Sequence, residues 1–258
     1  MQRYLFPGVI ITSVALVVLL GVGYMMGYRL GPGITLVKTH TLTITDLPVN
    51  ATVFTDYTSR GTTATSTMTA NLIPGTHTLL ASATGYWPWS TIVTVPDNKN
   101  VVANAFLVPK ITNGTLLSGS AAQAARTLVA HQTLPTAAHP LLMADGCALV
   151  SVTDINQIVA VPTTTPSCTP PPYLCIGGTC ATTVILSPVA QPTAVVPYPG
   201  RQDALLIGID KTIYALSLDP RSPRTFAPIL RGIAPRIAVQ PDGTVVVVDQ
   251  STVYQLTL

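Results

Sequence analysis

From Leu5 to Tyr28 the chain carries no charged side chain, and apolar residues dominate throughout. At about 1.5 Å rise per residue a helix of that length exceeds a hydrocarbon core of roughly 30 Å, so the pattern predicts a membrane-spanning helix. Tyr4 stands at one end and Tyr24 and Tyr28 at the other, where amphipathic rings favour the interface. Arg3 and Arg29 bracket the segment, and Gly31, Pro32 and Gly33 are expected to break the helix. Residues 1–33 are thus read as an anchor with its flanks. The rival reading is a cleaved signal peptide, with Gly21-Val22-Gly23 imitating a cleavage site. The apolar run is longer than the roughly 7–15 residues usual for such a core. The flanking charges compete, so orientation does not follow from them.

Beyond the anchor the period changes from continuous to two. Thr41-Leu-Thr-Ile-Thr45 alternates as a half-buried strand does. Pro48-Val-Asn-Ala51 reads as a turn and Thr52-Val-Phe-Thr55 as the next strand. Leu72-Ile-Pro-Gly-Thr-His-Thr-Leu79 is a turn feeding a strand, since Pro presets φ and Gly accepts positive values. Ser90–Val95 alternates again, and Val101–Val108 closes a unit covering residues 39–110.

The spacing Leu72-x-Pro74-Gly75-x-His77-x-Leu79, followed by Gly85-Tyr86, resembles the PEGA domain, as does the earlier Leu47-Pro48-x-Asn50-Ala51-x-Val53. That family takes its name from a Pro-Glu-Gly-Ala stretch. Here the stretch is Pro48-Val49-Asn50-Ala51, so its Glu and Gly are both replaced. The resemblance implies a small β-sandwich-like module found on bacterial envelope and surface proteins, without catalytic residues. Read physically, the same positions are turn formers and core-facing apolar residues, and Gly85-Tyr86 is a turn with a packed ring. His77, alternating with strand residues, is expected to be a partly exposed strand residue.

Residues 113–258 contain an internal repeat. Asp203-Ala-Leu-Leu-Ile-Gly-Ile-Asp210-Lys-Thr-Ile213-Tyr214 resembles Asp242-Gly-Thr-Val-Val-Val-Val-Asp249-Gln-Ser-Thr-Val253-Tyr254. The residue numbers of the two Asp and of the two Tyr differ by 39 and 40. A weaker copy runs from Asp145 through Asp154 to Ile158-Val159-Ala-Val161, and the Pro- and Cys-rich stretch 162–180 reads as an insertion between copies. A period of roughly 40 residues built on strand hairpins is the signature of β-propeller blades. The stretch is long enough for three or four blades, whereas closed propellers typically use four to eight, so an incomplete propeller or a sandwich sharing the pattern fits as well. Ser120 could cap a short helix through Ala121–Arg126, while Thr127-Leu-Val-Ala fits a strand equally well. The fold class is therefore mainly β: an N-terminal transmembrane helix, a PEGA-like module and propeller-like hairpin repeats.

Composition narrows the function. Only 9% of residues are charged, against roughly 25% in ordinary soluble domains. The net charge is +3 with no basic stripe, which argues against nucleic-acid binding. Cys147, Cys168, Cys175 and Cys180 all lie in the last region, and four cysteines allow three pairings. In Cys175-Ile-Gly-Gly-Thr-Cys180, Gly177-Gly178 suits a two-residue hairpin turn. Cys175 and Cys180 then form a non-hydrogen-bonded pair with Cα atoms about 4.5 Å apart, within bonding range. Cys147 is left for Cys168. A zinc site or free buried thiols are the alternatives, though no His lies in the cluster. An even count in a membrane-tethered β protein favours oxidation outside the cytosol.

No catalytic, cofactor or metal site is expected. The histidines, His40, His77, His131 and His139, are scattered, and all ten acidic residues are Asp. Asp145 and Ser151 are near each other only in sequence, which is no evidence for a triad. Asp154, Asp210 and Asp249 recur at hairpin turns, where Asx-turn chemistry accounts for them; calcium would need several converging oxygens. Asn50-Ala-Thr and Asn113-Gly-Thr fit a glycosylation sequon that means little in a bacterial protein. The expected function is a non-catalytic binding or scaffold protein of the bacterial envelope. It would sit in the cell membrane by a single pass, N-terminus cytoplasmic and body extracytoplasmic, with an envelope protein, peptide or glycan as partner. The alternatives are a homo-oligomeric structural subunit whose blades are completed between chains, and a hydrolase carried by the propeller-like region.

Overall fold

Continuous apolar sequence yields a helix, and alternating sequence yields strands. The computed structural model describes residues 5–30, 35–110, 112–163 and 168–258, with the side chains of residues 5–12 and of residue 30 outside the description. Arg3, Tyr4 and the expected breaker Gly31-Pro32-Gly33 lie outside the described residues. Compact packing divides the chain into two units, residues 1–81 with 92–105, and residues 82–91 with 106–258.

The first unit opens with helix α1 (Leu5–Met25). It ends three residues before the expected Tyr28. Gly27, at φ 85°, turns the chain, and its carbonyl accepts both the amide and the hydroxyl of Thr39. Tyr28 then begins a strand, β1 (Tyr28–Leu30), paired antiparallel with β2 (Leu36–Lys38). Arg29 donates to the carbonyls of Tyr24 and Tyr28 and lies 3.4 Å over the Tyr24 ring, a cation placed where the helix dipole is negative. Among the described residues no helix is long and apolar enough to cross a membrane; in α1 the described side chains begin at Ser13.

The body of this unit holds two sheets. β3 (His40–Thr45) pairs antiparallel with β6 (Met68–Leu72) and parallel with β9 (Val101–Asn104). The second sheet has the order β5-β4-β7-β8, from β4 (Thr52–Thr55), β5 (Thr58–Thr62), β7 (Gly75–Ser82) and β8 (Trp89–Val95). Alternation does what the sequence requires: Leu42, Ile44, Val53, Leu79 and Ala81 are buried while their neighbours are not. The last strand stops at Asn104, short of the expected Val108. Ala105–Val108 are buried without strand pairing.

In the second unit the repeats become three four-stranded antiparallel sheets. The first has the order β11-β12-β13-β16 (Leu141–Met143, Ala148–Val152, Ile158–Pro162, Thr183–Leu186). The second is β17-β18-β19-β20 (Pro192–Pro197, Ala204–Ile209, Thr212–Ser217, Phe226–Arg231). The third takes three strands in sequence order, β21 (Pro235–Val239), β22 (Val245–Asp249) and β23 (Thr252–Thr257). Its fourth strand is β10 (Asn113–Leu116), which precedes all the repeats and pairs with β23 from Asn113↔Thr257 to Leu116↔Tyr254.

The central strands β18 and β22 are apolar on both faces, as strands covered on both sides must be. Leu205, Leu206 and Ile207 are all fully buried. Val150, Ile158 and Ile185 of the first sheet share one core with Leu205, Ile207 and Leu216 of the second. The third sheet is covered by helix α2 (Gly119–His131), whose Ala125 and Val129 meet Ala238, Val246 and Val253. Thr127–Ala130 is therefore helical rather than a strand. The residue preceding the helix is Ser118, not Ser120, and its side chain makes no cap hydrogen bond. What holds α2 is its apolar face, together with Arg126, which donates to the carbonyls of Gln250 and Ser251 in the β22–β23 turn.

Candidate functional site

Two places gather unusual chemistry: a disulfide-bonded insertion in the second unit and a buried histidine in the first. Between β13 and β16 the chain leaves the first sheet for an excursion. Cys168 bonds to Cys147 in the β11–β12 turn, with Cα atoms 5.3 Å apart. A short 3₁₀ turn, Pro172–Leu174, then drives Tyr173 and Leu174 into the sheet core. Burial, followed by the charges of Asp219 and Asp203, raises the Tyr173 hydroxyl above its ordinary value.

Next come β14 (Cys175–Ile176) and β15 (Thr179–Cys180), joined by Gly177 and Gly178 at φ 60° and 82°. Both central residues of a type I′ turn need positive φ, and two glycines supply it without steric cost. The register is Ile176↔Thr179 and Cys175↔Cys180, and the latter pair is bonded with Cα atoms 3.9 Å apart, closer than the expected 4.5 Å. Ile176 stands 77% exposed at the stapled tip. None of the four cysteines is free.

The buried histidine is His77, which the alternation placed on a strand but left partly exposed. It is 8% exposed. Nδ1 lies 2.6 Å from Asp56 Oδ2 and Nε2 lies 2.8 Å from the Ile73 carbonyl. Asp56 heads the β4–β5 turn, with Asp56 and Tyr57 at φ 49° and 62°. Its other oxygen accepts the Thr78 amide at 3.0 Å. Burial works to raise the Asp56 carboxyl, but the His77 hydrogen bond, the Thr78 amide and the charges of His77 and Arg60 together hold it below its ordinary value. Asp56 was not singled out by sequence. The available signal was a two-residue gap, Asp56-Tyr57, between two Thr-bearing strands.

Of the remaining motif residues, Pro48, Ala51, Leu72, Pro74 and Gly75 lie in the first unit and Gly85 and Tyr86 in the second. Pro48 and Ala51 sit in a loop knitted by Thr63, whose hydroxyl donates to the Pro48 carbonyl and accepts the Ala51 amide. Asn50 has φ 63°. Gly takes that conformation freely, and Asn is among the few other residues that tolerate it, which accounts for Asn at this point of the stretch. Leu72 is buried, Pro74 half-buried, and Gly75 takes φ 143°. Gly85, at φ 84°, and half-buried Tyr86 lie in a turn where Tyr86 bridges to Pro109.

Other residues named from sequence stay apart. His131 and His139 are exposed, and His40 is half-buried. Asp145 lies in the β11–β12 turn, while Ser151 is buried within β12. Among the described residues no three of His, Cys, Asp or Glu converge as a metal-ligand set. Asp210 heads its turn at φ 52°, but the residue at the matching position of the next repeat is Gln250, at φ 54°. Ile209↔Thr212 and Asp249↔Thr252 are the equivalent pairs, so the repeat registers at 40 residues and Asp249 belongs to the strand. Its carboxylate accepts the amides of Ile233 (3.1 Å) and Ala234 (2.8 Å) instead of closing an Asx turn.

Residues 39–111 match the profile of the PEGA domain. No curated protein matches the chain.

Proposed function

We propose that this chain is a non-catalytic binding or scaffold protein of the bacterial cell envelope, tethered to the membrane by residues 5–25 with its body outside the cytoplasm. The observation that carries the reading is the pair of disulfides, one within the insertion between β13 and β16 and one tying that insertion to the β11–β12 turn. Bonds of that kind persist in oxidising compartments and are rare in the cytosol. Rigid loops also bind at lower entropic cost than mobile ones, so a stapled hairpin with Ile176 at its tip suits presentation to a partner.

Three further features support the same reading. The α1 sequence is uncharged over 21 residues, about 30 Å of helix at 1.5 Å per residue. The PEGA match covers the stretch between that helix and the repeats. Three four-stranded sheets, the last two repeating at 40 residues, favour a propeller-like head, with β10 tying its first segment to its last sheet. β10 supplies the fourth strand of the third sheet from within the chain, so that sheet does not call for a strand from another copy.

Fractionation with thiol labelling tests the proposal. Expressed in a bacterial host, the full chain should pellet with membranes, resist alkaline carbonate, and take up maleimide only after reduction. Recovery in the soluble fraction, or labelling of its cysteines without reductant, would overturn it.

A further inference from the structure

The short hairpin that follows α1 has two unlike faces. Its register is Tyr28↔Lys38, Arg29↔Val37 and Leu30↔Leu36, and side chains alternate between the faces. Arg29 and Val37 stand on one face and are half-buried, with the guanidinium over the Tyr24 ring. Tyr28, Leu36 and Lys38 stand on the other, and all three are exposed. That face combines an aromatic ring, a branched aliphatic chain and a cation.

The end of α1 and the turn after it also expose Tyr24, Met25 and Met26, so exposed apolar side chains fall on both sides of Gly27. Met26 is 67% exposed and Leu36 61%. Large apolar side chains exposed together mark a contact with a partner or a membrane. The hairpin is held to the last turn of the helix. The Gly27 carbonyl accepts the Thr39 amide and hydroxyl, and Arg29 donates to the Tyr24 and Tyr28 carbonyls. A helix seated in a bilayer therefore carries the hairpin to a fixed depth.

Charge selects the occupant. Residues 1–45 include Arg3, Arg29 and Lys38 and no acidic residue. Rings at the headgroup level, aliphatic chains just beneath it and cations on apolar stems are the set that a bilayer interface accepts, with the cation meeting lipid phosphate. We propose that the exposed face of the β1–β2 hairpin lies in the headgroup layer of a bilayer, with Tyr28 and Leu36 dipped beneath the phosphates and Lys38 on the headgroup of an anionic phospholipid. The inference rests on α1 being the tether proposed above, and makes the chain leaving that tether a lipid-reading contact and not a spacer.

Tryptophan quenching by brominated lipids tests this on the full chain, in mixed vesicles of phosphatidylcholine and phosphatidylglycerol. Leu36→Trp adds a probe on this face, and the parent chain supplies the signal of Trp87 and Trp89 to subtract. Bromines just below the headgroup should quench the added probe more than bromines near the bilayer centre. Brominated phosphatidylglycerol should quench it more than brominated phosphatidylcholine. Lys38→Gln should lower that preference by up to about fivefold, the weight of one cation at a charged surface. Tyr28→Trp repeats the measurement should Leu36→Trp fail to fold. Resistance to alkaline carbonate reports on the tether separately. A chain that stays with the membrane while its probe is quenched by neither lipid overturns the hairpin contact and leaves the tether standing. Shielding of that unquenched probe from aqueous iodide would give the face to a second copy instead. Equal quenching by the two lipids, unaltered by Lys38→Gln, overturns the pairing with anionic lipid. Loss of the chain from the membrane overturns tether and contact together.

Discussion

Gly232 shows how a single residue fixes a close approach. A Cβ placed there would lie 2.3 Å from Asp249 Oδ2, the same carboxylate that accepts the Ile233 and Ala234 amides. Gly232 also donates its own amide to the Lys211 carbonyl, so neither chain can withdraw freely. Gly232→Ala should therefore displace Asp249 and destabilise the second unit by about 1–3 kcal/mol in denaturant titration. The cost should shrink in an Asp249→Ala background, because the clash and the lost hydrogen bonds are one event. Equal costs in both backgrounds would mean that the glycine matters for another reason. Asn50 makes the complementary point. Its left-handed φ of 63° is a demand of the loop, and the sequence meets it with the residue that tolerates it next best to glycine.

At the scale of elements, the stapled insertion separates local from long-range constraint. The Cys175–Cys180 bond spans 5 residues of sequence and the Cys147–Cys168 bond spans 21. Loop-closure entropy grows with the length closed, so the longer bond should stabilise by about 3 kcal/mol and the shorter by about 2. Paired Cys→Ala replacements followed by thermal unfolding check this order. Loss of the longer bond should also free Tyr173 and Leu174 from the core. Loss of the shorter should alter only the Ile176 tip. Helix α2 shows a different balance. Its apolar face and the Arg126 contacts hold it against the third sheet without a side-chain cap, so tertiary packing supplies what local signals do not.

Across the whole second unit, β10 connects the beginning of the chain segment to its end. It pairs with β23 along four residues, and the β10 side chains are exposed. Backbone pairing is therefore its main contribution, and removing it would leave β23 as an open edge. Replacing Asn113–Leu116 by a Gly-Ser stretch of equal length should speed amide exchange in β23 by roughly tenfold or more, while β12 and β13 keep their protection. Unchanged exchange in β23 would show that the third sheet closes without β10.

Much of this molecule follows from patterning alone. The uncharged run gave helix α1, alternation gave strands of the first unit, the hairpin repeat gave strands of the second, and Gly177-Gly178 gave the stapled hairpin with its pairing. These depend on residues within a few positions of one another, where propensity and period act directly. The ending of α1 at Met25, the helical state of Thr127–Ala130, the placing of β10 beside β23, and the meeting of His77 with Asp56 were decided by tertiary structure. Each joins residues whose sequence neighbours carry no trace of the partner. Asp56 is an ordinary turn residue until the sheet order brings β7 beside β4. A strand pairs wherever backbone donors and acceptors are free, so its partner is chosen by the packing of the whole core.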